Sequence, residues 1–248
     1  MKILNIVPIT SDIWTDEIDA YTTSKLLPDT IVTTKILTHG PASIECEYDE
    51  AYAIPEVIRL CVEGEKEGFD AVFINCFGDP GVRAAREMVS VPVFGGFEPA
   101  ILYSLGMSDK VGIVTVLPNV VPMLEGLIAK NGLNSRVTSL RYVSMPVLDL
   151  FDLNKLIDAL IEESKKAVDL DGAGAIVLGC TGMVGVKEAV EKGLADAGKP
   201  VPVIEAAQAA LVLIETYVRM GWKHSRKTYM APPAKKRVWW SGDAVEEF

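Results

Sequence analysis

The chain has 248 residues and 49% of them are hydrophobic, enough to bury one large core or two smaller ones. Its 34 acidic and 24 basic side chains leave a net charge of −10, which argues against a nucleic-acid-binding surface, since that normally needs a basic face. No apolar run approaches the ~18 residues of a membrane span, and none of Cys46, Cys61, Cys76 and Cys180 forms a Cys-x-x-Cys pair for a zinc site with His39 or His224.

The opening MKILNIVPIT is short for a leader and lacks a small-residue cleavage site. Lys2–Val7 is therefore predicted as a first strand, and a cytoplasmic location is expected. Thr10–Asp16 is a polar turn with Ser11, Asp12 and Thr15 as helix-capping candidates, and Ile18–Leu27 fits a helix. Thr30–Leu37 alternates as a strand, and the loop HGPASIE, His39–Glu45, follows. Ala51–Gly68 reads as a long helix with Cys61 on its apolar side, so Cys61 is expected to be a core residue and Cys46 a bystander. Next come AVFI, apolar enough to be buried on both faces, then Cys76, a glycine-bearing turn, the helix VRAAREM and the strand Pro92–Gly95.

From Lys110 the order repeats: strand Lys110–Val116, helix Pro118–Asn131, strand Val137–Val143 and helix Leu153–Leu170. Then come the strand AIVLG ending in Cys180, a second glycine-bearing turn, the helix VKEAVEKGLADAG, and VPVIEAAQAAL, which mirrors VPVFGGFEPAI at Val91–Ile101. The repeat, of roughly 105–110 residues, predicts an α/β fold of two Rossmann-like lobes, each with a four-stranded parallel sheet, related by a pseudo-two-fold. The first lobe is expected to hold residues 1–97 and 206–248, the second residues 98–205, with the site in the cleft between them. Helix Ala206–Met220 is expected to cross back onto the first half. The tail Gly221–Phe248, ending WWSGDAVEEF, reads as a surface arm or subunit contact.

A cysteine at a strand's C-terminal end faces the crevice where open α/β sheets hold ligands, and nearby helix-terminal amides are expected to lower its thiol pKa. Two such cysteines in matched contexts suit one reaction type. A thiolate removes an acidic C–H proton from one face, and the opposite thiol returns one from the other. Amides around Phe77–Gly78 and Thr181–Gly182 are placed to stabilise the enolate. Nothing in the chain points to a Schiff-base lysine, so no cofactor is expected. His39 and His224 read as surface or loop residues, and Glu98 and Glu205 as acids beginning two equivalent helices.

Four motifs carry a resemblance: GPASIE at Gly40–Glu45, CFGDPG at Cys76–Gly81, TVLPNVVPMLE at Thr115–Glu125 and LGCTGM at Leu178–Met183. With them the chain, from Met1 to about Gly221, resembles the cofactor-independent Asp/Glu/hydantoin racemase superfamily, and within it the hydantoin racemase branch. The resemblance implies that Cys76 and Cys180 are the acid/base pair. It also implies that Ser43, Ile44, Phe77, Gly78, Thr115, Thr181 and Gly182 line the substrate site, and that the chain forms a homo-oligomer (dimer, tetramer or hexamer). Aspartate and glutamate racemases carry Asn-Thr and Thr-His after their cysteines, where this chain has Phe77-Gly78 and Thr181-Gly182. The branch usually opens Ile-Asn-Pro-Asn, but here the stretch is Ile6-Val7-Pro8-Ile9, which makes the pocket more apolar. The reading is a racemase of 5-substituted hydantoins or a related amino-acid derivative. The alternatives are an aspartate/glutamate-type racemase, or a decarboxylase or ligand-binding relative on the same fold.

Overall fold

The computed structural model describes residues 1–238 and 244–245. The first sheet holds β1 (Lys2–Val7), β2 (Ile31–Ile36), β3 (Ala71–Ile74) and β4 (Val93–Phe94), in the order β2-β1-β3-β4. The second holds β5 (Val111–Thr115), β6 (Val137–Tyr142), β7 (Ala175–Leu178) and β8 (Val203–Glu205), in the order β6-β5-β7-β8. All pairings within both sheets are parallel, so the α/β architecture with two four-stranded parallel sheets read from the repeat is present. The helices are α1 (Asp16–Thr23), α2 (Glu47–Lys66), α3 (Val82–Met88), α4 (Phe97–Met107), α5 (Val121–Lys130), α6 (Leu153–Asp169), α7 (Lys187–Asp196) and α8 (Ala206–Arg219). Among the described residues no helix is long and apolar enough to cross a membrane.

Local chemistry moves several predicted boundaries. The first helix starts at Asp16 because the Thr15 hydroxyl oxygen accepts the Ile18 N–H, and it ends at Thr23, with the Ser24 hydroxyl donating to the Tyr21 carbonyl. The second starts four residues earlier than Ala51, its first turn carrying Glu47, Asp49 and Glu50, where acids suit the helix N-terminus. It tolerates Pro55 in its interior. The stretch predicted as one helix from Pro118 opens as a 3₁₀ turn, Pro118–Val120, before α5.

The two crossover helices exchange sheets. α4 leaves β4 but packs Phe97, Ala100 and Ile101 into the core of the second sheet with Val111, Ile113 and Val177. α8 leaves β8 but packs Ala207, Ala210, Leu211 and Ile214 against Ile3, Phe73 and Phe94 of the first. Burying side chains the size of Leu211 and Ile214 stabilises by about 1.5–3 kcal/mol each, so the exchange holds the sheets together and fixes the cleft between their strand ends.

The described part of the C-terminal segment is bound to the edge of the first sheet. Arg226 donates to the carbonyls of Arg86 and Val89, capping the end of α3. His224, expected at the surface, instead accepts the Val93 N–H at 2.9 Å and packs on Phe94 and Tyr229. Burial, followed by the Arg86 charge, pushes it down to about 4. Residues 239–243 and 246–248, the end of the predicted arm, lie outside the described residues. β9 (Arg237–Val238) and β10 (Ala244–Val245) form a short antiparallel pair.

Arg86 is the anchor of this edge. It is 3% exposed and donates to Val93 O (2.9 Å), Tyr229 Oη (3.0 Å) and Glu98 Oε2 (2.5 Å). Arg86→Ala is expected to lower stability by roughly 3 kcal/mol, read from urea melts, because it strands a buried carbonyl and an acid. Lysine cannot restore the loss, since it lacks the fork that reaches three partners at once.

Candidate active site

β3 and β7 are buried along their whole lengths, as their unbroken apolar runs demand. Each feeds a turn that begins with a cysteine. In the first turn, Cys76 N–H donates to Ile74 O and Gly96 N–H to Cys76 O. In the second, Gly179 N–H donates to Val114 O and Met183 N–H to Cys180 O. The turns meet: the Thr181 hydroxyl donates to Asn75 O at 3.1 Å, and the space a Cβ on Gly96 would fill is 2.7 Å from the Thr181 methyl. Only a glycine at position 96 allows that approach.

Cys76 and Cys180 line one cleft of about 620 Å³, open mouth included. Ile44, Phe77, Gly78, Thr115, Thr181 and Gly182 line it with them. Ser43 does not: it lies in a shallow outer groove with Tyr48, Asp49 and Tyr52. The remaining wall is mostly apolar, with Val7, Ile9, Ile13, Trp14, Val120, Met123 and Val147. The Trp14 indole is pinned by its N–H donating to Asp19 Oδ1 at 2.5 Å. Above the cleft, Glu45 Oε1 accepts the Val147 N–H at 2.7 Å and ties the loop Gly40–Cys46 to the other sheet.

The polar groups of the wall are largely committed. The Thr115 hydroxyl donates to Gly179 O at 2.9 Å, and that of Thr181 is held by Asn75 O. Phe77 turns its ring into the core against Phe97, edge-on at 5.5 Å. Both thiols are raised, contrary to the expected lowering. Burial pushes Cys180 up to about 11, opposed by the facing amides of Gly182 and Met183. Burial pushes Cys76 higher, opposed by the Gly78 amide alone and reinforced by Cys180, Glu50 and Asp79. A few amide dipoles do not replace the water lost from a dry cleft. Cys61 is a buried core thiol, and Cys46 stands at the N-cap position of α2 with its Sγ donating to the Asp49 side chain at Oδ2, 3.3 Å away.

Residues 3–214 match the Asp/Glu/hydantoin racemase family along most of the chain. The chain belongs to that family.

It is 40% identical over its whole length to a hydantoin racemase of Pseudomonas sp. (strain NS671), covering 97% of that protein. It is 34% identical, over 96% of this chain and 99% of the relative, to a hydantoin racemase of Paenarthrobacter aurescens. The structure of an allantoin racemase from Klebsiella pneumoniae superposes with a TM-score of 0.88 at 32% identity, covering 98% of both chains. As a member of this family the chain is an isomerase of the racemase type.

The racemase also carries buried carboxyls, of which the sequence reading singled out Glu205 but missed Glu50 and Asp79. Asp79, in the left-handed region at φ 55°, caps α4 through Oδ1, which accepts the Phe97 N–H at 2.9 Å. Glu205 accepts from Gly185 N–H (3.1 Å) and Tyr21 Oη (3.4 Å). Phe73 pairs with Phe94 in the first sheet and Val177 with Ile204 in the second. Glu205 therefore corresponds to Gly95, one residue past the pairing, and not to Glu98. The Asp79 carboxyl fills the space over Gly95, so each sheet places an acid beside its cysteine-bearing strand from a different point of the repeat. Glu50 Oε2 lies 3.5 Å, and Cys76 Sγ 3.8 Å, from the point a Cβ on Gly78 would occupy. Glu50, Asp79 and Glu205 are each raised to about 7, chiefly by burial.

A carboxyl raised in the folded chain binds its proton more tightly there than when unfolded. Its contribution to stability is full below the ordinary carboxylate range, near pH 4, and is lost as pH rises through about 7. Glu205→Gln is always neutral. Its stability relative to the parent chain is expected to rise between about pH 5 and pH 8 in paired urea melts; a difference flat in pH contradicts the assignment.

Proposed function

We propose that this enzyme racemises 5-substituted hydantoins or a closely related amino-acid derivative, with Cys76 and Cys180 as its two bases and without a cofactor. The observation that carries this is the presence of both cysteines, at equivalent strand ends, in one apolar cleft. The C–H at C5 of a hydantoin is acidic because a carbonyl adjoins it. One cysteine as thiolate takes that proton and becomes a thiol; the opposite cysteine delivers its thiol proton to the other face and becomes a thiolate. For the other enantiomer the roles exchange. The charge that develops on the carbonyl oxygen is met by amides of the turns at Phe77–Gly78 and Thr181–Gly182. A dry cleft raises both thiols, yet it strengthens those amide interactions at the moment charge appears.

The apolar wall of Ile9, Ile13, Trp14 and Met123 favours an apolar substituent at C5. A ureido group there would leave polar atoms unpaired. A resolved 5-benzylhydantoin is therefore expected to turn over with kcat/KM at least about tenfold above allantoin. The deciding experiment follows a single enantiomer in D₂O by polarimetry and NMR. Loss of rotation should accompany uptake of one deuterium at C5, the inverted product being labelled from the first turnover. Inversion of free aspartate or glutamate with hydantoins left untouched would overturn the proposal.

A further inference from the structure

Asn75 stands one residue before Cys76, just past the end of β3, and lines the cleft. Only 3% of it is exposed. Its main chain is fully used: the N–H donates to Ile6 O at 2.8 Å, and the carbonyl accepts the Thr181 hydroxyl at 3.1 Å. Its side chain is not. Neither Nδ2 nor Oδ1 has a hydrogen-bond partner within the chain, and both are shielded from bulk water. Among the described residues no other side chain has two such atoms. The other buried amide of this sheet, Asn5, gives its Nδ2 to Thr34 Oγ1 at 3.0 Å and does not line the cleft.

A buried amide with no partner destabilises the fold, and leucine of nearly the same shape would not. The free energy is recovered when a ligand brings both missing partners. A primary amide offers a donor and an acceptor side by side, which complements a cyclic CO–NH edge. A carboxylate, with acceptors only, would leave Oδ1 unpaired.

Resting on the hydantoin reading above, we infer that Asn75 is the residue that recognises the substrate ring. Its Nδ2 donates to a ring carbonyl and its Oδ1 accepts from the adjacent ring N–H, which fixes C5 between Cys76 and Cys180. The assignment explains why a polar side chain is kept in an otherwise apolar stretch, and it selects cyclic imides over free amino acids.

The test compares the full-length parent with Asn75→Leu and Asn75→Asp, on a 5-substituted hydantoin and on its two ring-N-methylated analogues. Thermal midpoints are measured alongside. Asn75→Leu is expected to lower kcat/KM by about 10–100-fold with an unchanged or raised midpoint. Methylating the recognised nitrogen should weaken turnover by the parent at least about tenfold and turnover by the leucine variant little. Asn75→Asp, assayed near pH 9, above the value of about 7 to which burial raises Glu50 and Asp79, keeps the shape and as a carboxylate loses the donor; it should resemble the leucine variant in activity, and it serves if leucine disturbs folding. If the parent exchanges C5–H and Asn75→Leu does so equally well, the role of Asn75 is overturned and the hydantoin reading stands. The role is also overturned if activity and midpoint fall together while the discrimination against methylated rings persists, since that marks a structural residue. If the parent exchanges no hydantoin at all, both are overturned.

Discussion

Cys76→Ala and Cys180→Ala are each expected to abolish racemisation, lowering kcat/KM by about three orders of magnitude or more, because a two-base inversion fails when either face lacks its proton carrier. The two variants should differ in what survives. Each retains one thiol able to take a proton from one enantiomer and return it to the same face. Each should therefore wash deuterium into C5 of a single, opposite enantiomer with retention, and proton NMR of resolved substrates in D₂O reads this directly. In the parent chain burial raises both thiols, so the reactive form, one thiolate facing one thiol, is scarce at neutral pH. kcat/KM should climb from pH 7 to 9 and report apparent values that belong to the pair. Variants that racemise normally, or a rate flat over that range, would dismiss the mechanism.

Gly95→Ala should be the most damaging small change away from the sulfurs. A Cβ there would stand 2.1 Å from Asp79 Oδ1, 2.6 Å from its Cγ and 3.1 Å from its Cα. The first two contacts could be relieved by a rotamer change, but the third involves backbone. The Asp79 carboxyl cannot leave without uncapping α4, whose first amide it holds. The turn that carries Cys76 must therefore shift. Overpacking of this kind costs about 1–3 kcal/mol. A displaced base costs activity as well, and a fall in kcat/KM of about 10–100-fold is expected. A double-mutant cycle with Asp79→Ala locates the clash. If the acid is its source, the second substitution makes the first far less harmful, and the coupling appears in both melts and kinetics. Additive effects would mean that Gly95 acts elsewhere.

Much of the layout was legible in the chain because it rests on local pattern. AVFI and AIVL are apolar at every position, which only a strand covered on both faces tolerates. Their repetition, each followed by a cysteine and glycines, marked two equivalent ligand-facing ends. The second VPV segment was also visible, and Glu98 and Glu205 do begin the equivalent helices α4 and α8. They stand at different points of the repeat, however: strand pairing makes Glu205 the counterpart of Gly95, while Glu98 serves Arg86. His224 looked like a surface residue because nothing in its neighbourhood predicts that the tail folds back onto Val93 and Phe94.

By itself, then, the sequence determined the two four-stranded parallel sheets and the two sulfurs at matching positions, since side-chain periodicity and turn chemistry act over a few residues. Tertiary structure alone decided that Asp79 occupies the space above Gly95, that Trp14 walls the cleft and that both amide atoms of Asn75 stay unpaired. It also decided that the thiols are raised, because desolvation depends on what surrounds a sulfur in three dimensions and not on its neighbours along the chain.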